Sequence, residues 1–278
     1  MLEQIKNTAD FLKNKTNFNP KIGIILGSGL GSFVDEVDIK FSFSYNEIPN
    51  FPISTVEGHS GKLIFGTVKG KEVVVMQGRF HYYEESDIQK VVLPVRVMKY
   101  LGVKNLIISN ASGGVNPSFE IGDLMLINDH INLIPNPLVG PNLKELGTRF
   151  PDMSEPYCKE MITFAEEIAD ENNIKIQKGN YVGVTGPTLE TPAEYNYFRI
   201  IGGDTVGMST VPEVLVANHC DLPVIAISVI TNLAAGMNKT KLSHKETLEN
   251  AALAENNIIN LIKNFIHDVK LDDSSGNN

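Results

Sequence analysis

The stretch Gly23-Ile24-Ile25-Leu26-Gly27-Ser28-Gly29-Leu30-Gly31-Ser32, GIILGSGLGS, runs a short apolar segment straight into three glycines and two serines. An apolar run that ends this way reads as a buried strand releasing the chain into a loop whose backbone can approach an anion. A dinucleotide-binding turn needs G-x-G-x-x-G and an acidic residue about 20 positions on, and a triphosphate loop needs Gly-Lys-Ser/Thr. The spacing here is G-x-G-x-G, with neither continuation. The loop therefore announces an anion site of another kind.

Outward from it, the same kind of apolar run recurs. Short β-branched segments bounded by Gly, Asn or Asp predict strands at 22–26, 62–67, 72–77, 105–109, 123–127, 180–185, 205–208 and 224–229. Helical periodicity predicts helices at 2–14, 88–101, 157–172, 193–201, 211–219 and 245–267, the last with Ser243 as N-cap and Glu246 at its third position. This alternation predicts an α/β fold, a mostly parallel or mixed sheet covered by helices. Residues 134–154, rich in Pro, Gly and Asn, read as a long loop able to reach a ligand or a neighbouring subunit. With no linker and no internal repeat, residues 1–270 are expected to form one domain and the polar 271–278 a flexible tail.

Several predicted strands end in polar residues, and in an open α/β sheet ligands collect at the carboxyl ends of strands. VVVMQGRFHYYEE delivers Arg79 and His81 just past an apolar run, with Tyr82 and Tyr83 beside them. LIISNASGG places Asn110, Ala111 and Ser112 before a glycine pair, TVGMSTVP offers Ser209 and Thr210, and VITN ends on Thr231 and Asn232. Glu190 sits in TGPTLETPAEY, His59 in EGHSGKL and His244 in LSHKE. Singly, each has a plainer reading: a surface Arg, a tight turn, a helix N-cap, a solvated His.

Composition narrows the partners. The chain has 278 residues, 42% hydrophobic and 21% charged, with a net charge of −9 and a pI near 5.2. Binding to nucleic acid or an acidic membrane surface rests on clustered Lys and Arg, so neither is expected. The two cysteines, Cys158 and Cys220, and the absence of a basic-apolar signal segment suggest a cytoplasmic setting without disulfides. No CxxC or HExxH spacing suggests a metal, and no apolar run approaches the roughly 18 residues of a membrane span.

Taken in order, GSGLG, GHSGKL, QGRFHYYE, NASGGVNPSFEIGD, GPTLETPAE, VGMSTVPE and ITN resemble the trimeric class of purine nucleoside phosphorylases, from Gly23 to the end of the chain. The resemblance implies a single α/β domain whose mixed sheet partly closes into a barrel, assembled as a homotrimer with sites near subunit interfaces. It implies phosphorolysis of purine (deoxy)ribonucleosides to free base and (deoxy)ribose 1-phosphate, with inorganic phosphate as co-substrate and no cofactor or metal. By the same resemblance Ser28, His59, Arg79, His81, the Ala111 N–H and Ser209 hold phosphate. Asn232, His81 and Glu190 take the catalytic positions, Asn232 bonding the purine N7 and 6-substituent. Tyr83 and the Met208 backbone meet the ribose and His244 its 5′-hydroxyl. Leu189, Val206 and Thr231 also bind the substrate, and Phe150 reaches in from a neighbouring subunit.

Glu190 also has a chemical reading of its own. An ionised carboxylate only accepts hydrogen bonds, and 6-oxopurines offer an N1–H that adenine lacks, so inosine and guanosine are favoured over adenosine. One departure stands out: Leu189 occupies the place where the family commonly has an aromatic. A 5′-methylthioadenosine phosphorylase of the same fold is the alternative reading. More distant ones are a non-catalytic purine- or phosphate-binding protein and a dinucleotide-dependent oxidoreductase, the last lacking its glycine pattern.

Overall fold

The structure, a computed structural model, describes residues 1–53, 60–233 and 243–269. Its strands are β1 (Ile22–Ile25), β2 (Asp38–Ser44), β3 (Lys62–Val68), β4 (Lys71–Gln77), β5 (Asn105–Gly114), β6 (Leu124–Asn132), β7 (Ile176–Gly183), β8 (Thr205–Gly207) and β9 (Val224–Leu233). The helices are α1 (Leu2–Thr16), α2 (Tyr82–Glu85), α3 (Ile88–Leu101), α4 (Lys159–Glu171), α5 (Pro192–Ile200), α6 (Val211–His219), α7 (His244–Ala251) and α8 (Glu255–Asp268).

The nine strands form one mixed sheet in the order β2-β3-β4-β1-β5-β8-β7-β6-β9, and a further β5–β9 pairing closes the last five into a barrel. Strands β1, β4, β5 and β9 run parallel at its centre and read as near-continuous apolar runs, because helices cover both faces. Helix α8 shows how those covers are built. Ile258, Leu261, Ile262, Phe265 and Ile266 recur at the spacing of one helical face and are all buried.

Strand β5 is the joint between open sheet and barrel. Its first residues pair with β1 through Asn105–Ile108, whereas Gly113 and Gly114 pair with β8. Residues 109–112 lie between these two partners, so a crevice opens there at the carboxyl ends of β1 and β4. Ligands bind α/β sheets where neighbouring strands part in this way.

All eight expected strands are present, and β2 is added. It is an edge strand, paired only to β3 and opening on the exposed Asp38, Ile39 and Lys40, so its alternation is masked by charge. The helix expected at 245–267 is two helices split by a 3-10 turn at Ala252–Ala254. Helix α7 packs on β9 while α8 packs on α4, two surfaces that one straight axis does not serve. The Ser243 cap forms as expected, its Oγ accepting from the Glu246 N–H at 3.2 Å. Residues 133–158 hold neither helix nor strand. The tail expected at 271–278 lies outside the described residues. Among those described, no helix is long and apolar enough to cross a membrane.

Candidate active site

The crevice beside β5 is a cleft that encloses about 680 Å³ of space, part of it open to solvent. Gly27 and Ser28 form one wall; Arg79, His81 and Tyr83 follow β4; Asn110, Ala111, Ser112 and Gly113 come from β5. Leu189 and Glu190 arrive from the loop before α5, Val206, Met208 and Ser209 from β8 and its exit, Thr231 and Asn232 from β9 and Thr247 from α7. Elements scattered along the chain thus converge on one space.

The glycine loop fits its place because two of its residues lack a side chain. A Cβ at Gly27 would stand 2.7 Å from Asn110 Cα. Gly29 has φ of +74° and would bring a Cβ within 2.6 Å of that of Ala251. The loop therefore lies flat on β5 and α7, with Ser28 at the cleft. LIISNASGG, by contrast, makes no turn. Strand β5 continues through Gly114, paired to β9 throughout. Gly113 is small because the Tyr195 hydroxyl and the Asn232 amide lie 2.9 and 3.0 Å from where its Cβ would be.

Arg79 is only 1% exposed and acts as a tie rod. Its Nη1 donates to Ser209 Oγ at 2.8 Å and Thr210 Oγ1 at 3.1 Å, and Nη2 donates to the carbonyls of Ser109 and Ile25. Its Nε lies 3.7 Å from the buried carboxylate of Glu213, in the first turn of α6. Because Arg79 donates to Ser209, the Ser209 hydroxyl proton is directed elsewhere, and Ser209 lines the cleft.

Thr210 does not cap α6 with its side chain as expected. Its backbone stands at φ 69° and ψ −54°, and the Val211 N–H donates to the Ser209 carbonyl at 2.7 Å, which together define a strained γ-turn. Positive φ on a β-branched residue costs on the order of 1–3 kcal/mol. Arg79 and the Asn110 Nδ2, at 2.9 Å, both donate to the Thr210 hydroxyl and hold the turn. That is why the hydroxyl makes no cap.

His81 is fixed by a neighbour that the sequence reading did not single out. Its backbone N–H donates to Glu84 Oε1 at 2.8 Å and its Nδ1 lies 3.1 Å from the same oxygen, while its ring stacks on Tyr83 at 4.9 Å. An ionised Glu84 accepts, so Nδ1 is the donor in this pair.

Glu190, Tyr195 and Asn232 form a second network. The Asn232 Nδ2 donates to Tyr195 Oη at 3.3 Å, and the Tyr195 hydroxyl is bonded to Glu190. Burial pushes the Glu190 carboxyl above its ordinary range, and bonds from the backbone and Tyr195 oppose that rise. Tyr195 looks from sequence like a core residue of α5; only its hydroxyl, at the barrel rim, gives it a place in the site. Ser112 Oγ is buried here without a hydrogen-bond partner among the described residues.

Of the residues expected at the site, Ser28, Arg79, His81, Tyr83, Ala111, Leu189, Glu190, Val206, Met208, Ser209, Thr231 and Asn232 all line the cleft. His59 lies outside the described residues, as does the side chain of His244, which opens α7. Phe150 is 85% exposed and does not line the cleft of its own chain. Glu84, Tyr195 and Glu213, which close the stretches QGRFHYYE, TGPTLETPAEY and VGMSTVPE without having been given a role there, are additions, as is Thr247, which lies in none of the quoted stretches.

Residues 21–267 match the sequence profile of the Phosphorylase superfamily. The chain is 52% identical over 267 residues to purine nucleoside phosphorylase 1 of Bacillus subtilis (strain 168), covering 96% of this chain and 98% of that protein. It is 48% identical over 257 residues to the purine nucleoside phosphorylase of Rattus norvegicus, covering 89% and 88%. The crystal structure of Schistosoma mansoni purine nucleoside phosphorylase with inosine superposes with a TM-score of 0.91 at 42% identity, over 96% of this chain and 97% of that one. The same protein with adenosine superposes with a TM-score of 0.91 at 43% identity, over 96% and 98%. This chain belongs to the purine nucleoside phosphorylase family of the Phosphorylase superfamily, in company with the mammalian members.

Proposed function

We propose that this cleft cleaves purine nucleosides with inorganic phosphate, releasing the free base and ribose 1-phosphate, with 6-oxopurines preferred. The observation that carries the reading is the pairing of two networks in one cleft. Ser28 of the glycine loop, His81 and Ser209 line it as donors, and the Glu190 carboxylate and Asn232 amide line the same space.

In this reading phosphate sits against Ser28, the Ala111 N–H, Ser209 and His81, and the family resemblance assigns His59 to the same phosphate. Arg79 sets the Ser209 hydroxyl and adds its charge. A phosphate oxygen attacks the anomeric carbon as the bond to the purine nitrogen breaks, and that bond's electrons pass to the base. The sugar becomes cationic in character and the purine electron-rich, so phosphate beneath the one and a donor on the other lower the barrier. Asn232 has two amide N–H groups; one meets Tyr195 and the second serves the purine N7. Glu190, held by Tyr195, accepts from N1–H of a 6-oxopurine. Tyr83, the Met208 backbone and His244 hold the ribose, while Leu189, Val206 and Thr231 wall the base. No cofactor is required, because hydrogen-bond donors and phosphate handle all the developing charge.

The Schistosoma protein was crystallised with adenosine as well as inosine, so the preference for 6-oxopurines belongs to turnover rather than to occupancy. Two further parts of the reading rest on the exposed Phe150 and on the two free cysteines. Phe150 completes the cleft of a neighbouring copy in a homotrimer, and the protein works in a reducing, cytoplasmic setting. An ultraviolet assay with inosine, with and without phosphate, tests the core of it, with adenosine and 5′-methylthioadenosine as comparators. Phosphate-dependent release of hypoxanthine with little turnover of adenosine is the expected result. Turnover of 5′-methylthioadenosine alone would replace the substrate, and no turnover would leave only a binding protein.

A further inference from the structure

A second cavity, of about 700 Å³, lies between α3, the C-terminal end of α6 and the loop that follows β6. At its floor Arg96 is 3% exposed. Its Nη1 donates to Gln89 Oε1 at 2.7 Å, and Gln89 is itself anchored to the Pro137 carbonyl at 2.8 Å. The Arg96 Nε–H is buried with no hydrogen-bond partner, and no carboxylate among the described residues pairs with this guanidinium. A buried charge without a partner is costly, and natural chains rarely leave one so.

His219 faces the same cavity, 3% exposed. Asn142 uses its Nδ2 on the Gly147 carbonyl, so its Oδ1 accepts from His219 Nε2 at 2.9 Å. That assigns the imidazole proton to Nε2 and leaves Nδ1 buried with no partner. Burial and the nearby Arg96 charge both hold His219 below its ordinary pKa, while Asp221 opposes them weakly. Met1, Pro137, Leu138, Val139, Pro141 and Leu143 make up the rest of the wall, apolar in their side chains.

We propose that this cavity is a binding site for a small aliphatic carboxylate, whose carboxyl group meets the Arg96 guanidinium edge and whose chain lies on the Leu138, Val139 and Leu143 wall. A guanidinium edge matches the two oxygens of a carboxylate, and the apolar wall selects an organic acid over inorganic phosphate or sulfate. Nothing in the proposed reaction uses Arg96, Gln89 or His219, so the site stands apart from the cleft.

The test uses hexanoate as probe on the full chain with saturating phosphate, followed by calorimetry. The expected result is one saturable hexanoate per chain, weakened about tenfold or more in Arg96→Met. An apolar residue of similar volume in place of a buried charge preserves folding. Val139→Glu, at a residue 76% exposed, supplies a variant whose folding is not in question and whose added carboxylate should also weaken hexanoate. Sulfate should not compete. Absence of saturable binding, or equal binding to all three proteins, overturns the proposal. So does an Arg96→Met protein that changes its state of assembly in sedimentation while wild type ignores hexanoate, since Arg96 would then meet a carboxylate of another copy. None of these outcomes depends on nucleoside turnover.

Discussion

Two arginines are buried to nearly the same degree, Arg79 at 1% and Arg96 at 3% exposure, yet their surroundings differ in kind. Arg79 meets two hydroxyls, two carbonyls and the Glu213 carboxylate. Arg96 meets one amide oxygen and faces open space. Helix α6 borders both, with Glu213 in its first turn and His219 in its last. The difference teaches what each arginine is for. One is spent within the protein, setting the geometry of neighbours that touch a ligand, and the other keeps an edge for something brought from outside.

The sharpest way to break this contrast is to remove each charge in turn. Arg79→Met strands Glu213 as an unpaired buried carboxylate and should cost about 3–5 kcal/mol in denaturant unfolding. Arg96→Met strands no charge, only the half-buried Gln89 amide oxygen, and should cost no more than about 1 kcal/mol. Equal losses in the two variants would show that both arginines are structural ties.

Next in size is the loss expected at Asn232. Asn232→Ala removes the donor proposed for the leaving base and should lower kcat/KM for inosine about 10²-fold or more, with folding retained. Unchanged turnover would move the donor role elsewhere in the cleft.

The contrast also explains how far the chain could be read unaided. Arg79, His81, Ser209 and Asn232 were legible because each follows an apolar run, so a strand end and a polar group announce themselves together. Tyr195, Glu84 and Glu213 were not. Each sits in a helix with ordinary spacing, and its part depends on a partner distant in sequence or on a cap that only the fold defines. Arg96 lies within the apolar face VVLPVRV, where periodicity reads it as an interloper; its missing counter-charge is a three-dimensional fact. The barrel closure was likewise beyond periodicity alone, because it depends on β5 pairing with β8 and β9 at once; it entered the reading through family resemblance.

Smaller effects test whether the cleft's networks are coupled as Arg79's are. The proposed role of Glu190 needs its ionised form; burial raises its pKa, and the Tyr195 bond lowers it. Tyr195→Phe removes a lowering influence, so the acid limb of kcat/KM for inosine should move to higher pH. Activity at neutral pH should fall about three- to tenfold, the size of an ordinary net hydrogen bond. A limb that stays in place would mean that the phenol packs beside Glu190 without tuning it.

The smallest effect is the most discriminating. Gly113→Ala would set a methyl group 2.9 Å from Tyr195 Oη and 3.0 Å from Asn232 Nδ2, and both are side-chain ends able to shift by a few tenths of an ångström. A loss of about threefold in kcat/KM for inosine is expected, with KM for phosphate unchanged, since the atoms nearest the added methyl belong to Tyr195, Asn232 and Val206 and none to the residues proposed to hold phosphate. In a Tyr195→Phe background the hydroxyl is gone and the same alanine should cost less. Residues in direct contact couple in this way, whereas independent sites add. A full, additive threefold in both backgrounds would place the crowding on Asn232 alone. The cleft would then differ from the Arg79 floor after all, with its carboxylate and amide acting as separate contacts rather than as one network.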